Sequence, residues 1–480
     1  MDRVPYKWIV ATVFVVGLFM DIMDTTIVNV ALPTLAKQFH ASDAGIEWVV
    51  LGYLLSLAVW IPASGWIGDK FGTKRTFLFA LATFTFASAL CGQAHSLTEL
   101  VTFRVLQGVG GGMLTPVGTA MLFRAFPPSE RAKASTVLLV PAVIAPATGP
   151  IIGGWLVTDV SWRWIFYVNL PVGVAGFFVG WFFLREHTEE NAGPFDIPGF
   201  VLSGAGLALV LFALSQAPEL GWGSAEVMLT GVIGVLLFVA LVVAETRATH
   251  PMLALRLYRE RMFRNANIVL TLTYGSFVGV LFILPYFLQQ LRGLSALQSG
   301  LTTFPQAIGV IISTQLVGRL YPRVGPRRLI FFGMVGMTVV TFGFTLVGLH
   351  TSLWWIRGIM FVRGIFMAYS FVPLQAATYS NISSEDTGRA SAIYSTQRQV
   401  AAALGVAVLA SVWITRTKAA VAGATNKAAI ANAQLHGFRA AFLTATVLVA
   451  MAAVSALLIH DEDAAESMGR SPVASGELAA

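Results

Sequence analysis

Asp21 and Asp24 lie three residues apart inside Trp8 to Ala31, a stretch that is otherwise almost wholly apolar. On a helix that spacing puts both carboxylates on one face. An ionised, unpaired carboxylate is expensive in hydrocarbon, so such residues line aqueous cavities and work there. The chemistry expected is exchange of a proton or cation, with Asp24 as the site and Asp21 as a hydrogen-bonding partner or second site. Further along, Arg104-Val105-Leu106-Gln107-Gly108 places a cation in another apolar stretch. Counted at about 1.5 Å per residue from the ends of their helices, Arg104 and Asp24 reach comparable depths. Arg104 could hold the carboxylate ionised and release it when the helices move; the alternative is a fixed ion pair that only neutralises a buried charge.

Charges also cluster at Gly65-Trp66-Ile67-Gly68-Asp69-Lys70-Phe71-Gly72-Thr73-Lys74-Arg75, and a degraded copy returns late in the chain. Gly318, Gly325 and Arg328 repeat Gly65, Gly72 and Arg75 at one common offset of 253 residues, which implies a duplicated unit. The second copy has no aspartate opposite Asp69, so two unequal loops are expected.

The elements that carry these residues must be membrane helices. Of the 480 residues 56% are hydrophobic and only 11% charged, whereas a soluble protein has about a quarter charged residues. The lone Cys91 excludes an intrachain disulfide and a cysteine-based metal cluster. No cleavable signal peptide is evident, and Trp8 to Ala31 reads as the first span. Fourteen apolar runs approach the length of about 20 residues needed to cross a bilayer. Placing both termini in the cytoplasm puts the large Lys/Arg clusters on the inner side, among them Lys70/Lys74/Arg75 and Arg124/Arg131/Lys133.

Spacing divides the chain into a six-helix bundle over 1–185, a two-helix insert with flanking cytoplasmic segments over 186–264, a second six-helix bundle over 265–460, and a disordered cytoplasmic tail over 461–480. The stretch 416–437 is expected to be the longest outer loop.

Four stretches resemble the major facilitator superfamily, and their arrangement is similar to its fourteen-helix drug:proton antiporter branch. The charged loop is similar to the family's inner loop between helices two and three, with Lys70 and Thr73 where arginines are usual. Its implied role is a conformational latch formed by Gly65, Gly68, Asp69, Gly72 and Arg75. Asp24-Thr25-Thr26-Ile27-Val28-Asn29-Val30-Ala31-Leu32-Pro33 looks like the signature of the branch, and Arg104 with Gln107 and Gly108 resembles its helix-four motif. Ala145-Pro146-Ala147-Thr148-Gly149-Pro150-Ile151-Ile152-Gly153-Gly154 looks like the exporters' antiporter motif. Gly149, Pro150, Gly153 and Gly154 would then make a flexible, leak-tight contact between the two halves; by physics alone a Gly-x-x-x-Gly pair is ordinary helix packing.

The second half has no acidic residue in the core of its last six spans, yet it carries Arg363 and Arg398. These could bind an anionic or lipid-like cargo, or be pinned by helix-end carbonyls. Asn29, Tyr53, Tyr274, Tyr286, Tyr369 and Tyr394 are candidate cavity-lining residues.

The resemblance implies a proton-coupled exporter of hydrophobic or amphipathic small molecules in the bacterial cytoplasmic (inner) membrane. It would be powered by the proton gradient without a cofactor, as a monomer, with no nucleic-acid partner and with a periplasmic adaptor if the source has two membranes. A dedicated metabolite exporter or lipid flippase would use the same fold. An enzyme is disfavoured: there is no His-Glu-x-x-His and no Gly-x-Ser-x-Gly, and all seven histidines sit in or beside loops.

Overall fold

A computed structural model describes residues 5–41, 43–189, 193–249, 251–421 and 427–469. Among them there are no strands, and fourteen long helices dominate. The first six are α1 (Tyr6–Phe39), α2 (Asp43–Phe71), α3 (Thr73–Gln93), α4 (Leu97–Ala125), α5 (Arg131–Trp155) and α6 (Asn169–Phe183). They are followed by α7 (Ile197–Leu220) and α8 (Ala225–Arg247). The last six are α9 (Arg261–Tyr286), α10 (Pro305–Val324), α11 (Pro326–Gly343), α12 (Leu353–Thr378), α13 (Thr387–Val421) and α14 (Lys427–Ala456).

Thirteen candidate membrane helices are long and apolar enough to cross a bilayer. The sequence run 98–123 is present as α4 but falls outside that set, because its glycines, Gln107, Thr115, Pro116 and Thr119 dilute its apolar character even beyond the charges Glu99 and Arg104. These polar groups are sheltered by protein: α4 packs between α2 and α3 and buries most of its second half. Its start is fixed locally, since Ser96 accepts the Glu99 backbone N–H at 3.2 Å while the Glu99 carboxylate accepts the His95 N–H at 2.8 Å, satisfying two helix-start donors.

The helices meet closely where glycines allow it. A Cβ on Gly108 would lie 2.6 Å from the Tyr53 carbonyl, so α4 can only approach α2 this way without a side chain. In the second half a Cβ on Gly364 of α12 would lie closer still, 2.1 Å from the Gln306 carbonyl on α10. The pair α7 and α8 packs through α7 against α2 and α13, while α8 buries the least surface of any span and presents Leu229, Val235, Leu236 and Val239 outward.

Two expectations about loops are corrected. The stretch 416–437 is not a long loop: α13 runs to Val421 and α14 begins at Lys427, leaving only residues 422–426 outside the described chain. Its alanines favour helix, and both helices extend past the apolar runs that define the spans. The stretch expected to be a disordered tail is ordered over its first part. Asp461–Ala464 and Glu466–Met468 form short 3-10 turns, with Ala464, Ser467 and Met468 buried. Packing anchors it: Ser467 and Tyr321 hydroxyls bond at 2.7 Å, and the Arg261 guanidinium grips Asp463 through two bonds of 2.7 and 2.8 Å. Residues 470–480 lie outside the described chain, as does His250.

Candidate functional site

The α1, α4 and α6 helices bring Asp24, Arg104, Gln107 and Asn169 together with no exposure of any of the four. Arg104 Nη1 donates to Asp24 Oδ2 and, at 2.7 Å, to Gln107 Oε1. Gln107 Nε2 and Asn169 Nδ2 donate to Asp24 Oδ1 at 3.0 and 3.1 Å. Asn169 also donates to Ser88 on α3, and Arg104 Nε reaches the Val49 carbonyl of α2 at 3.0 Å. The Arg104 guanidinium lies 4.2 Å from the centre of the Tyr53 ring. Every partner of this carboxylate, a guanidinium and two amides, donates to it. The spacing argument placed Asp24 and Arg104 at one depth, and the structure brings them into contact. It did not reveal Asn169, whose only sequence signal is an amide in the apolar run 162–184.

Asp21 sits one turn away in a different setting. Tyr53 OH donates to Asp21 Oδ1, and Thr115 Oγ1 of α4 donates to Oδ2 at 3.3 Å. Its partners are hydroxyls, which can bond either a carboxylate or a carboxylic acid. Arg398, on α13, adds a weak coulombic attraction from a distance. Arg398 lies 5.2 Å from the centre of the Tyr274 ring, and Arg363 lies 5.6 Å from that of Phe277, both rings on α9. Of the remaining candidates, Tyr394 is buried beside Tyr379, Tyr369 packs on Phe332 of α11, and Asn29 is exposed on α1. Tyr286 is at the end of α9 against Trp413 and is 40% exposed, away from both aspartates.

The charged loop closes one end of the molecule. Asp69 pairs with Arg124 of α4 at 3.0 Å and lies against Gly388, in the first turn of α13, leaving no room there for a side chain. Arg124 Nε in turn donates to the Ser384 carbonyl at 3.1 Å, and Ser391 Oγ of α13 to the Pro116 carbonyl of α4 at 2.7 Å. A Cβ on Gly65 would lie 2.9 Å from the Gly388 carbonyl, whereas Gly68 makes only ordinary contacts. Arg75 does not join Asp69; its largely exposed side chain faces Glu186 at 3.6 Å. The partner of Asp69 is Arg124, a residue 55 positions away that loop spacing could not nominate.

Gly72 has φ +99° and Gly325 φ +88°, so both loops turn through a left-handed region that favours glycine. In each loop a distant carboxylate sits against that glycine. Glu186 accepts the N–H groups of Lys74 and Arg75 at 2.9 and 3.2 Å, and Asp461 accepts that of Arg327 at 2.9 Å. These anions cap the starts of α3 and α11, whose own cap residues are glycines with no side chain to accept.

The glycine motif of α5 is corrected in one respect. A Cβ on Gly149 would lie 2.1 Å from Thr26 Oγ1 and one on Gly153 2.8 Å from Ile27, while Gly154 faces open space. The close contact therefore joins α5 to α1, within the first six helices and not between halves. Pro150 lies in the same helix.

The chain matches the Major Facilitator Superfamily over residues 14–406. It belongs to that family. Within the superfamily it is 33% identical over 403 residues to the "Multidrug resistance protein B homolog" of Mycobacterium tuberculosis (strain CDC 1551 / Oshkosh), covering 83% of this chain and 75% of that one. It is also 33% identical over 406 residues to the "Putative multidrug resistance protein MdtD" of Pectobacterium carotovorum subsp. carotovorum (strain PC1), covering 84% and 85%. Among solved structures, the human organic anion transporter MFSD10 (TETRAN) superposes with a TM-score of 0.66 over 94% of this chain and 100% of that one. At 18% identity that likeness shows the fold alone. This superfamily member is a multi-pass membrane transporter, not an enzyme.

Proposed function

We propose that the chain is a proton-coupled exporter of hydrophobic or amphipathic small molecules, of the fourteen-span branch, working by alternating access between two six-helix bundles. The multidrug names of its relatives support the cargo class. Helix α4 supplies the fourteenth span, and both termini then lie in the cytoplasm. On that placement the Asp69–Arg124–α13 contacts form the inner latch, holding the halves together on the cytoplasmic side.

The observation that carries the coupling is the division of partners between the two aspartates. Asp24 and Arg104 both belong to the first bundle, so rocking of one bundle against the other does not separate them. A weak coulombic pull from Arg398 of the second bundle reaches Asp21, so rocking would change its electrostatic surroundings. We therefore assign proton exchange to Asp21 and an anchoring role to the Asp24 cluster, reversing the weighting that spacing alone favoured. In proteoliposomes under an imposed pH gradient, Asp21→Asn should abolish gradient-driven efflux yet retain exchange of substrate between the two sides. Asp24→Asn should weaken both. Wild-type driven efflux by Asp21→Asn would return the proton to Asp24.

A further inference from the structure

Arg363 is, with Arg104, one of two fully buried arginines among the described residues, and its situation is the reverse of Arg104's. Its Nη1 donates to Gln306 Oε1 of α10 at 2.6 Å. Its Nε and Nη2 are buried with no hydrogen-bond partner. No carboxylate lies in the membrane core of the last six helices to balance it. Neither is it pinned by helix-end carbonyls, since Gln306 is its one bonded partner among the described residues. Leaving two charged donors unbonded in a dry site is costly, so such an arrangement calls for an anion.

Which anion follows from the geometry. Nε–H and Nη2–H are the two parallel donors along one edge of a guanidinium, the fork that takes both oxygens of a carboxylate at once. The bond from Nη1 to Gln306 leaves that edge available and fixes the plane of the group. Around it the surface is aromatic: Phe277 stands 5.8 Å from Tyr274 and 5.7 Å from Phe371, centre to centre. Arg398 flanks the other side of this cluster against Tyr274, and both Arg398 and Tyr274 keep some exposure. A cavity of about 20 Å³, room for one water, lies beside Phe277 and Gln306 and is closed by Val143 and Pro146 of α5. Separation of α5 from α9 and α12 would widen it.

From this geometry we infer that Arg363, oriented by Gln306 and backed by the Tyr274–Phe277–Phe371 cluster, is a binding site for the carboxylate of an aromatic organic anion. Arg398 adds a second positive charge at the more open side of the cluster. The inference rests on the transporter reading for the route the ligand takes, though not for binding, which needs no gradient.

The test is equilibrium binding of 2-naphthoate to the full chain in lipid nanodiscs, with 2-naphthamide as the uncharged isostere in each variant. Wild type should prefer the carboxylate at least about 10-fold, the worth of a charge-assisted pair. Arg363→Gln should bring the preference close to one. Gln306→Glu should do the same by placing a carboxylate of nearly equal shape against Arg363, and it serves where Arg363→Gln does not yield folded protein. Equal binding of acid and amide by wild type overturns the site, as does an unchanged preference in either variant that elutes and melts like wild type. A preserved preference combined with no pH-driven efflux of any dye would sink the exporter reading and leave the anion site standing.

Discussion

Two buried arginines do opposite things because of what lies opposite each. Arg104 has the Asp24 carboxylate, the Gln107 amide oxygen and the Val49 carbonyl to share its charge, whereas Arg363 has one amide oxygen. Single residues also decide the latch. Asp69→Asn keeps the shape but removes the charge that Arg124 binds beside the start of α13. It should cut transport several-fold while leaving equilibrium dye binding near wild type; lost binding in a folded variant would contradict a gating role. Arg124→Gln should match it, and Arg75→Gln should be milder, because Arg75 is exposed where Arg124 is not. Spacing exposed Asp21, Asp24, Arg104 and Asp69 because a charge in an apolar run is conspicuous. It could not show which partner each would meet. Arg124 and Asn169 are ordinary in sequence and acquire their roles only when helices far apart in the chain pack together.

Among the helices, small residues set the spacing, and their cost is local. Gly149→Val would drive side-chain atoms into Thr26 on α1 and should destabilise by about 1–3 kcal/mol through overpacking. Gly154→Ala meets nothing within 4 Å and should leave the melting temperature unchanged. Thermal melts of the two in detergent separate a packed motif position from a free one. The position of nearly every long helix was legible, since apolar length is a composition signal that survives without tertiary detail. The 416–437 stretch was misread because its alanines and polar residues lack the apolar mark of a span yet propagate a helix well. The ordered start of the terminal tail was misread for a related reason: Asp461 and Asp463 look like solvated charges until Arg261 and the Arg327 backbone are brought beside them.

At the scale of the molecule, the fourteen-span reading makes a geometric claim about sides. The turn Gly221-Trp222-Gly223 must face outward and the Pro127–Glu130 turn inward. Single cysteines placed at Trp222 and at Ser129, in a Cys91→Ser background, should react with a membrane-impermeant maleimide from opposite sides of intact cells. Labelling of the Ser129 position from outside and the Trp222 position from inside would break the count, because losing α4 as a span exchanges their sides. The carboxylates Glu186 and Asp461 carry a different lesson about the duplication. Each trails the last helix of its bundle and caps the third, yet neither stands at the common offset that relates the two loops. What has been kept between the repeats is a contact, not an aligned position. Coexpressed as two separate polypeptides, the first bundle would therefore need to extend at least to Glu186 and the second at least to Asp461 for each to bring its own cap, and a second fragment cut at His460 would arrive with the start of α11 uncapped.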